Sequence, residues 1–461
     1  MTNDGTSAWV LSLVILAAVG PLGCGEKSAE ESGRADAKDS PDIILISIDT
    51  LRSDRLGAYG YARDTSPFMD SIARDGIRFK NAFSTSSWTA PAMVSLMTSR
   101  YPYAHGVVHG LVAKGRVEHQ EAIPASLPLI AERLRAAGYA TFGLSSNRHL
   151  SSELGFGRGF DHYECIGFAD AAAVLDRLKN LRSKLSAARP YFLWVHFLDP
   201  HAPYEQRQPH FNSYWGDRPI HEDLTKIKGA KHFENMDLQP GNERTEFVNA
   251  LYDSEIRYTD EATRDLFAMV PRSEDAAVIV TSDHGEEFAE HGRFGHGHSL
   301  YNGVVKVPMI MRLPNKRLAG TSIADRVSLV DVPTTLAIIA KTAVPGGWKG
   351  RDLAQMAQGK DKNARNLYLS LSRNVELRGV LEDRYKYVYD LRKPDRSSLF
   401  DLKSDPGEMN NVVDTDGKRA TRLKNSLIDR LISSDSATHK PGIAEISSEH
   451  LEQLRALGYV D

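Results

Sequence analysis

Only two cysteines, Cys24 and Cys165, occur in 461 residues, which excludes a fold stapled by a disulfide framework. With Cys24 reserved for modification, as argued below, no structural disulfide remains, and Cys165 reads as a small buried hydrophobe. The chain also lacks a basic block or a basic stripe interleaved with aromatics, and its net charge is -3, so nucleic acid is excluded as a partner. No internal repeat is visible. What is present is ample core material: 41% hydrophobic and 25% charged residues imply one big domain plus a smaller one.

The N-terminus differs from the rest. Residues 8–22 are apolar and end in Gly23-Cys24, and residues 25–40 are polar and rich in Glu, Lys, Ala and Ser. This reads as an export signal followed by a tether, and Gly23-Cys24 resembles the end of a bacterial lipoprotein signal, whose cysteine carries lipid. The residues before the run lack Lys and Arg, which a signal peptide carries. An uncleaved anchor helix is the alternative, although about 15 apolar residues is short for a span. The expectation is an exported protein of the cell envelope or periplasm, attached to the membrane through its N-terminus. Residues 1–24 form the signal or anchor and residues 25–41 the linker.

Beyond the linker, strand-like and helix-like runs alternate: strands at 43–48 (IILISI), 140–145, 191–197 (YFLWVHF), 277–281 and 307–312, with helices at 67–75, 126–137 and 244–269. Such alternation predicts an α/β fold with a mainly parallel central sheet flanked by helices. After about residue 340 the pattern changes to short β-type runs, 367–371 and 385–389, and a terminal helix at 447–457. The domains expected are therefore a catalytic domain, 42–340, and a smaller α+β subdomain, 341–461. Residues 205–241, irregular and rich in aromatic, Pro, Asn and His residues, read as a pocket-shaping insertion.

Chemistry gathers at two strand ends. Asp49 follows the run 43–48, and Asp283-His284 follows the run 276–281 (AAVIVT), so three metal-binding groups emerge where open α/β sheets place their ligands. Further strings accompany them: IDTLRSDRLGAYGY, WTAPAMVSLMTSRYPYAHGV, HFLDPHAPY, YDSEIRYTDE, TSDHGEEFAEHGRFGHGHSLYNG and SLFDLKSDPGEMNNV. In this order they resemble the sulfatases of the alkaline-phosphatase superfamily over essentially all of the chain after residue 41.

One departure from that family redirects the chemistry. Sulfatases carry Cys or Ser in a C-x-P-x-R pattern and oxidise it to formylglycine; this chain has Thr89-Ala90-Pro91-Ala92-Met93, without the oxidisable residue or the arginine. Threonine is the nucleophile in phosphodiesterases and phosphotransferases of the same superfamily, so the resemblance implies a metal-activated Thr89. A formylglycine hydrate expels sulfate by breaking its own C–O bond, whereas a threonine ester needs a second attack, at sulfur or phosphorus. Phosphorus tolerates that double displacement well. Sulfate, phosphate and phosphonate esters of small molecules, glycans or lipids all stay open as substrates. So does direct attack by water, and so does a two-metal phosphodiesterase or phosphotransferase. The reading from another class is a non-catalytic binding protein.

The resemblance implies a metal site of Asp49, Thr89, Asp283 and His284. Calcium sulfatases offer two Asp at the first strand and Asp-Asn at the later one. Here those are Asp49-Thr50 and Asp283-His284, a loss of oxygen and gain of imidazole that favours zinc or manganese and leaves calcium possible. His201 and His298, with Asp199 or His196, hold either a second ion or the substrate oxyanion and leaving group. His196 and His296 otherwise read as satisfied core or loop histidines. Arg52 is a candidate clamp for an anionic substrate, with a surface arginine as the plain alternative. His105 matches a family position near the active site or orders the loop after the nucleophile helix, and Lys306 is expected to face solvent. Pro91 fits the first turn of a helix that points backbone N–H groups at the attacked oxyanion and whose dipole depresses the Thr89 hydroxyl pKa.

Overall fold

A run of six residues, five of them apolar and without alternation, must be covered on both faces, and Ile43–Ile48 is: every residue of this strand, Ser47 included, is buried. A computed structural model describes residues 40–114, 117–226, 238–433 and 439–456 of the chain. The strand lies at the centre of a nine-stranded sheet, between Tyr191–Phe197 and Ala277–Ser282, parallel to both. Ile48 pairs with Phe197 on one side and Ser282 on the other, so the three strands end at one level. Ala140–Ser145 pairs parallel with Tyr191–Phe197, with Ser145 opposite His196, and adds a fourth carboxyl end at that level. His162–Cys165 completes that edge.

Successive side chains of the central strand point to opposite faces. Ile44, Ile46 and Ile48 enter a core built with helices Ala171–Ala187 and Glu243–Met269, while Ile43 and Leu45 enter a second core with Thr89–Thr98, Ile130–Ala136 and Asp331–Ile339. The predicted parallel sheet with helices on both faces is thus observed. On its other side the sheet turns mixed. The expected strand 307–312 is two pieces, Lys306–Val307 and Met309–Arg312, because Pro308 lacks the N–H that would continue the ladder. Both pieces run antiparallel to Ile77–Phe83, which the sequence reading did not single out, and Thr321–Ser328 pairs with that strand in parallel.

Helix ends follow local chemistry. The long helix starts at Glu243, where Asn242 Oδ1 accepts the Thr245 N–H at 2.8 Å. The helix expected over 126–137 starts only at Ile130, and the Glu132 carboxylate reaches back to accept the Leu129 N–H at 2.9 Å. In the insertion 205–241 the helix His210–Trp215 buries Phe211 and Trp215 against Phe247.

The C-terminal part is a four-stranded antiparallel meander: Leu367–Ser372, Glu376–Glu382, Tyr385–Asp390 and Ser398–Asp401. Helix Gly417–Ile432 covers it by the 420, 423, 427 stripe of Ala420, Leu423 and Leu427. Lys386, fully buried on the third strand, donates to the Leu300 carbonyl at 2.8 Å and to Asn302 Oδ1 at 3.0 Å and pairs with Glu408 at 2.5 Å, tying this sheet to the segment after His298. The terminal helix spans Ser448–Ala456. The expected signal or anchor, 1–24, and the linker up to residue 39 lie outside the described residues, as does the last residue of the expected helix 447–457. Among the described residues no helix is long and apolar enough to cross a membrane.

Candidate active site

Strand ends deliver the first three groups. Asp49 and Asp283 each directly follow a strand of the parallel trio and His284 comes one residue later; all three are fully buried, with ligand atoms within 4.8 Å of one another. The turn after Asp49 is sharp: Thr50 sits at φ 52°, a left-handed conformation costly for a β-branched residue, and Tyr252 holds it by donating to the Thr50 carbonyl at 2.6 Å. The turn after Asp283 is just as tight, because a Cβ on Gly285 would stand 2.1 Å from the Gly303 carbonyl oxygen. Glycine is required there.

The orientation of each ligand is fixed from behind. Ser47 accepts from Trp194 Nε1 at 2.9 Å and lies 2.9 Å from His196 Nδ1, so its hydroxyl donates to that nitrogen and leaves the His196 proton on Nε2, aimed at Asp49 Oδ2 at 3.4 Å. Asn147, at the end of strand Ala140–Ser145, donates to the same oxygen at 2.6 Å. His284 Nδ1 lies 2.9 Å from the Gly285 carbonyl, which places the proton on Nδ1 and the lone pair on Nε2. That lone pair faces Asp49 Oδ1 at 3.6 Å and Asp283 Oδ2 at 3.4 Å. Neither carboxylate oxygen has a hydrogen-bond donor. Two buried carboxyl oxygens and an imidazole lone pair, all converging, are a ligand set suited to a cation. Burial raises both carboxyl groups, but for Asp49 the His196 hydrogen bond and neighbouring imidazoles win and hold it below the usual range. Asp283 is pushed well above that range by burial and then by the charge of Asp49.

Thr89 opens the helix Thr89–Thr98, with Pro91 in its first turn as expected. Its Oγ1 lies 3.3 Å from His284 Nε2, so it joins the same cluster. Trp88, at the cap position, supplies no side-chain acceptor to the first turn.

Two more imidazoles stand beside His284. The His296 ring centroid is 4.4 Å from that of His284 and 5.0 Å from that of His201. His201 Nδ1 is held by the Ala202 carbonyl at 2.5 Å, and His296 Nδ1 by Glu286 Oε1 at 2.8 Å, whose other oxygen accepts from Tyr204 at 2.9 Å. All three rings are thus anchored through Nδ1, which makes Nε2 the nitrogen on the opposite edge. Burial keeps both His284 and His296 below the ordinary imidazole range.

Other expected residues are engaged elsewhere. His298 Nε2 contacts Glu287 Oε2 at 2.9 Å, a carboxylate shared with His291 and Ser299, and the ring beside His284 is His296. Asp199 accepts from the Ala171 N–H at 2.7 Å and from Arg207 Nη2 at 2.9 Å, and burial raises it to about 6 despite that arginine. Among the described residues, Asp49, Asp283 and His284 are the one group of three or more with metal-ligating geometry. Arg52 is buried, not on the surface: it donates to both Asp54 oxygens, to the Glu286 carbonyl and to Glu290. With half-buried Lys306, which was expected to face solvent, Arg52 lines a separate cavity of about 530 Å³ that includes none of Asp49, Thr89, Asp283 and His284. His105 bonds Ser95 Oγ at 3.1 Å and the Pro91 carbonyl at 3.2 Å, and burial pushes it down to about 3; it braces the Thr89 helix. Cys165 is half-buried, and its thiol donates to the Asn147 carbonyl at 3.3 Å.

Comparison with known proteins identifies the family. Residues 41–342 match the model of the Sulfatase family, and residues 289–436 match that of the N-sulphoglucosamine sulphohydrolase C-terminal region. A choline-sulfatase of Rhizobium meliloti is 26% identical over 445 residues, covering 81% of this chain and 82% of its own. An ulvan-active sulfatase of Formosa agariphila is 21% identical over 434 residues, covering 85% and 80%. The crystal structure of the phosphonate monoester hydrolase of Agrobacterium radiobacter superposes with a TM-score of 0.65 at 19% identity, covering 86% of this chain and 96% of that one. The Sulfatase model spans well over half of the chain and relatives of that family cover most of the rest: this chain belongs to the sulfatases, hydrolases of ester bonds.

Proposed function

We propose that the protein is a metal-dependent hydrolase of oxyanion esters in which Thr89, not formylglycine, is the nucleophile, and that phosphate or phosphonate esters are turned over ahead of sulfate esters. The observation that carries this reading is the convergence of Asp49 Oδ1 and Asp283 Oδ2, neither with a hydrogen-bond partner, on His284 Nε2 beside Thr89 Oγ1. Two carboxylates and one imidazole fit zinc or manganese better than calcium, which prefers more oxygen ligands. Such an ion supplies Lewis acidity and neutralises charge on the ester.

The chain's own groups supply the rest. Thr89 loses its proton and attacks phosphorus; the alcohol leaves with a proton, and a water then cleaves the threonine ester by a second attack at phosphorus, restoring the hydroxyl. His201 and His296, fixed through Nδ1, carry protons between leaving oxygen and water at Nε2. The first turn of the Thr89 helix turns N–H dipoles toward the developing oxyanion. Relatives named for choline sulfate and ulvan support a small-molecule or glycan ester as substrate. The apolar run 8–22 ending at Cys24 supports export with an envelope tether.

The test is turnover of matched nitrophenyl sulfate, phosphate monoester, phosphate diester and phosphonate after reconstitution with zinc, manganese or calcium. Phosphate or phosphonate esters with a transition metal are expected to dominate; dominant sulfate hydrolysis overturns the substrate assignment, and failure to take up any ion overturns the enzyme reading. Asn147 gives a finer test, because its amide orients Asp49 without reaching the ion. Replacing it by leucine is expected to weaken metal binding by about 10–100-fold, measured by competition with a chromophoric chelator.

A further inference from the structure

Met93 stands where the sulfatase pattern carries an arginine, and it is fully buried in the core beneath the nucleophile helix. Residues 89–98 contain no cation at all. A guanidinium arrives instead from the C-terminal sheet. Arg373 lies in the turn between strands Leu367–Ser372 and Glu376–Glu382, and its guanidinium carbon sits over the ring of Trp88, 5.1 Å from the centroid. Trp88 immediately precedes Thr89.

The same guanidinium packs onto Gly297, the residue after His296. A Cβ there would stand 2.7 Å from Arg373 Nη1 and 3.3 Å from its Cδ, so only glycine admits this approach. Gly297 also has φ +73° and donates its N–H to the Ser87 carbonyl at 2.9 Å, which draws the His296 turn against the segment leading into Thr89. Arg373 is therefore bracketed by the neighbours of the nucleophile and of His296. A guanidinium over an indole face keeps its N–H donors around its rim, where two oxygens of a tetrahedral anion can be bound side by side.

We propose that Arg373 is an anion-binding residue of the active site, which grips the non-bridging oxygens of the substrate's phosphate, phosphonate or sulfate group and supplies the positive charge missing at Met93. This rests on the hydrolase reading above and assigns the C-terminal sheet a direct part in substrate binding.

The test is calorimetric titration of the zinc-reconstituted full chain with inorganic phosphate and sulfate, comparing wild type with R373Q and R373K, alongside zinc content and nitrophenyl ester kinetics. R373Q is expected to bind phosphate at least about tenfold more weakly and to show a KM raised by a similar factor, with zinc content unchanged. R373K, which keeps the charge but not the planar fork, is expected to recover part of the loss. A folded R373Q that binds both anions as wild type does overturns the proposal, as does wild-type protein that binds neither anion. Should R373Q fail to fold, R373K decides: phosphate affinity unchanged from wild type means the planar fork is not used and overturns the bidentate grip. Wild-type protein that binds phosphate but hydrolyses no ester defeats the hydrolase reading alone, leaving Arg373 to be judged on the R373Q titration.

Discussion

Thr89→Ala is expected to lower turnover of the preferred ester by about 10⁴–10⁶-fold, the scale seen when an enzyme loses its nucleophile, while metal content and fold survive. The hydroxyl is the smallest part of the cluster to remove. Asp49, Asp283 and His284 are each fixed by other contacts, so the ion site outlasts the substitution. The methyl and hydroxyl lost from a buried threonine cost stability on the order of 1–2 kcal/mol, which a large domain withstands. Thr89→Ser keeps the oxygen and is expected to retain substantial activity. Stopped-flow and steady-state kinetics on metal-loaded variants check this, and near-normal turnover by Thr89→Ala would mean that water attacks the ester directly.

The groups whose removal matters most were also the most legible in the sequence, for a physical reason. Parallel strands buried on both faces must be written as mainly apolar runs without alternation, so Ile43–Ile48, Ala140–Ser145 and Tyr191–Phe197 were readable with their ends, and a polar residue directly after such a run has few places to go but the sheet's carboxyl edge. Ile77–Phe83 escaped notice because it has a half-exposed, interrupted pattern and partners of both directions. Side-chain direction in loops was the larger loss. In Glu286-Glu287 neighbouring carboxylates face opposite sides, as extended backbone requires, one toward His296 and the other toward His298. His296 and His298, two apart, would share a side in a regular strand, but Gly297 at φ +73° breaks the alternation and sends them to different carboxylates. No spacing rule shows that. Asn147 and the Ser47–His196 pair were equally hidden, because they act by orienting Asp49 from strands far apart in sequence.

Asp283→Asn is expected to abolish both metal uptake and turnover, and its effect on stability discriminates a metal site from an incidental cluster. Without an ion, Asp49 Oδ1 and Asp283 Oδ2 are buried side by side with no donor, an arrangement that costs free energy in a low-dielectric interior. An ion that binds only the folded state offsets this cost, by about 4 kcal/mol at a thousandfold excess over Kd. Chelation should therefore lower the melting temperature of the wild type by several degrees, on the order expected for a domain of this size. In Asp283→Asn the chelator should change nothing, since there is no ion to remove. The variant should also melt at or above the chelated wild type, because an amide relieves the like-charged pair and keeps an oxygen to accept the His284 N–H now received by Asp283 Oδ1 at 2.9 Å. Scanning calorimetry with and without chelator, together with metal analysis, makes the comparison. Metal retained by Asp283→Asn would remove Asp283 from the ligand set, and a wild type indifferent to chelation would show that the converging acceptors hold no ion. A function won at the expense of unliganded stability predicts the opposite ranking in the two conditions: wild type above the variant when loaded, and no higher than it when stripped.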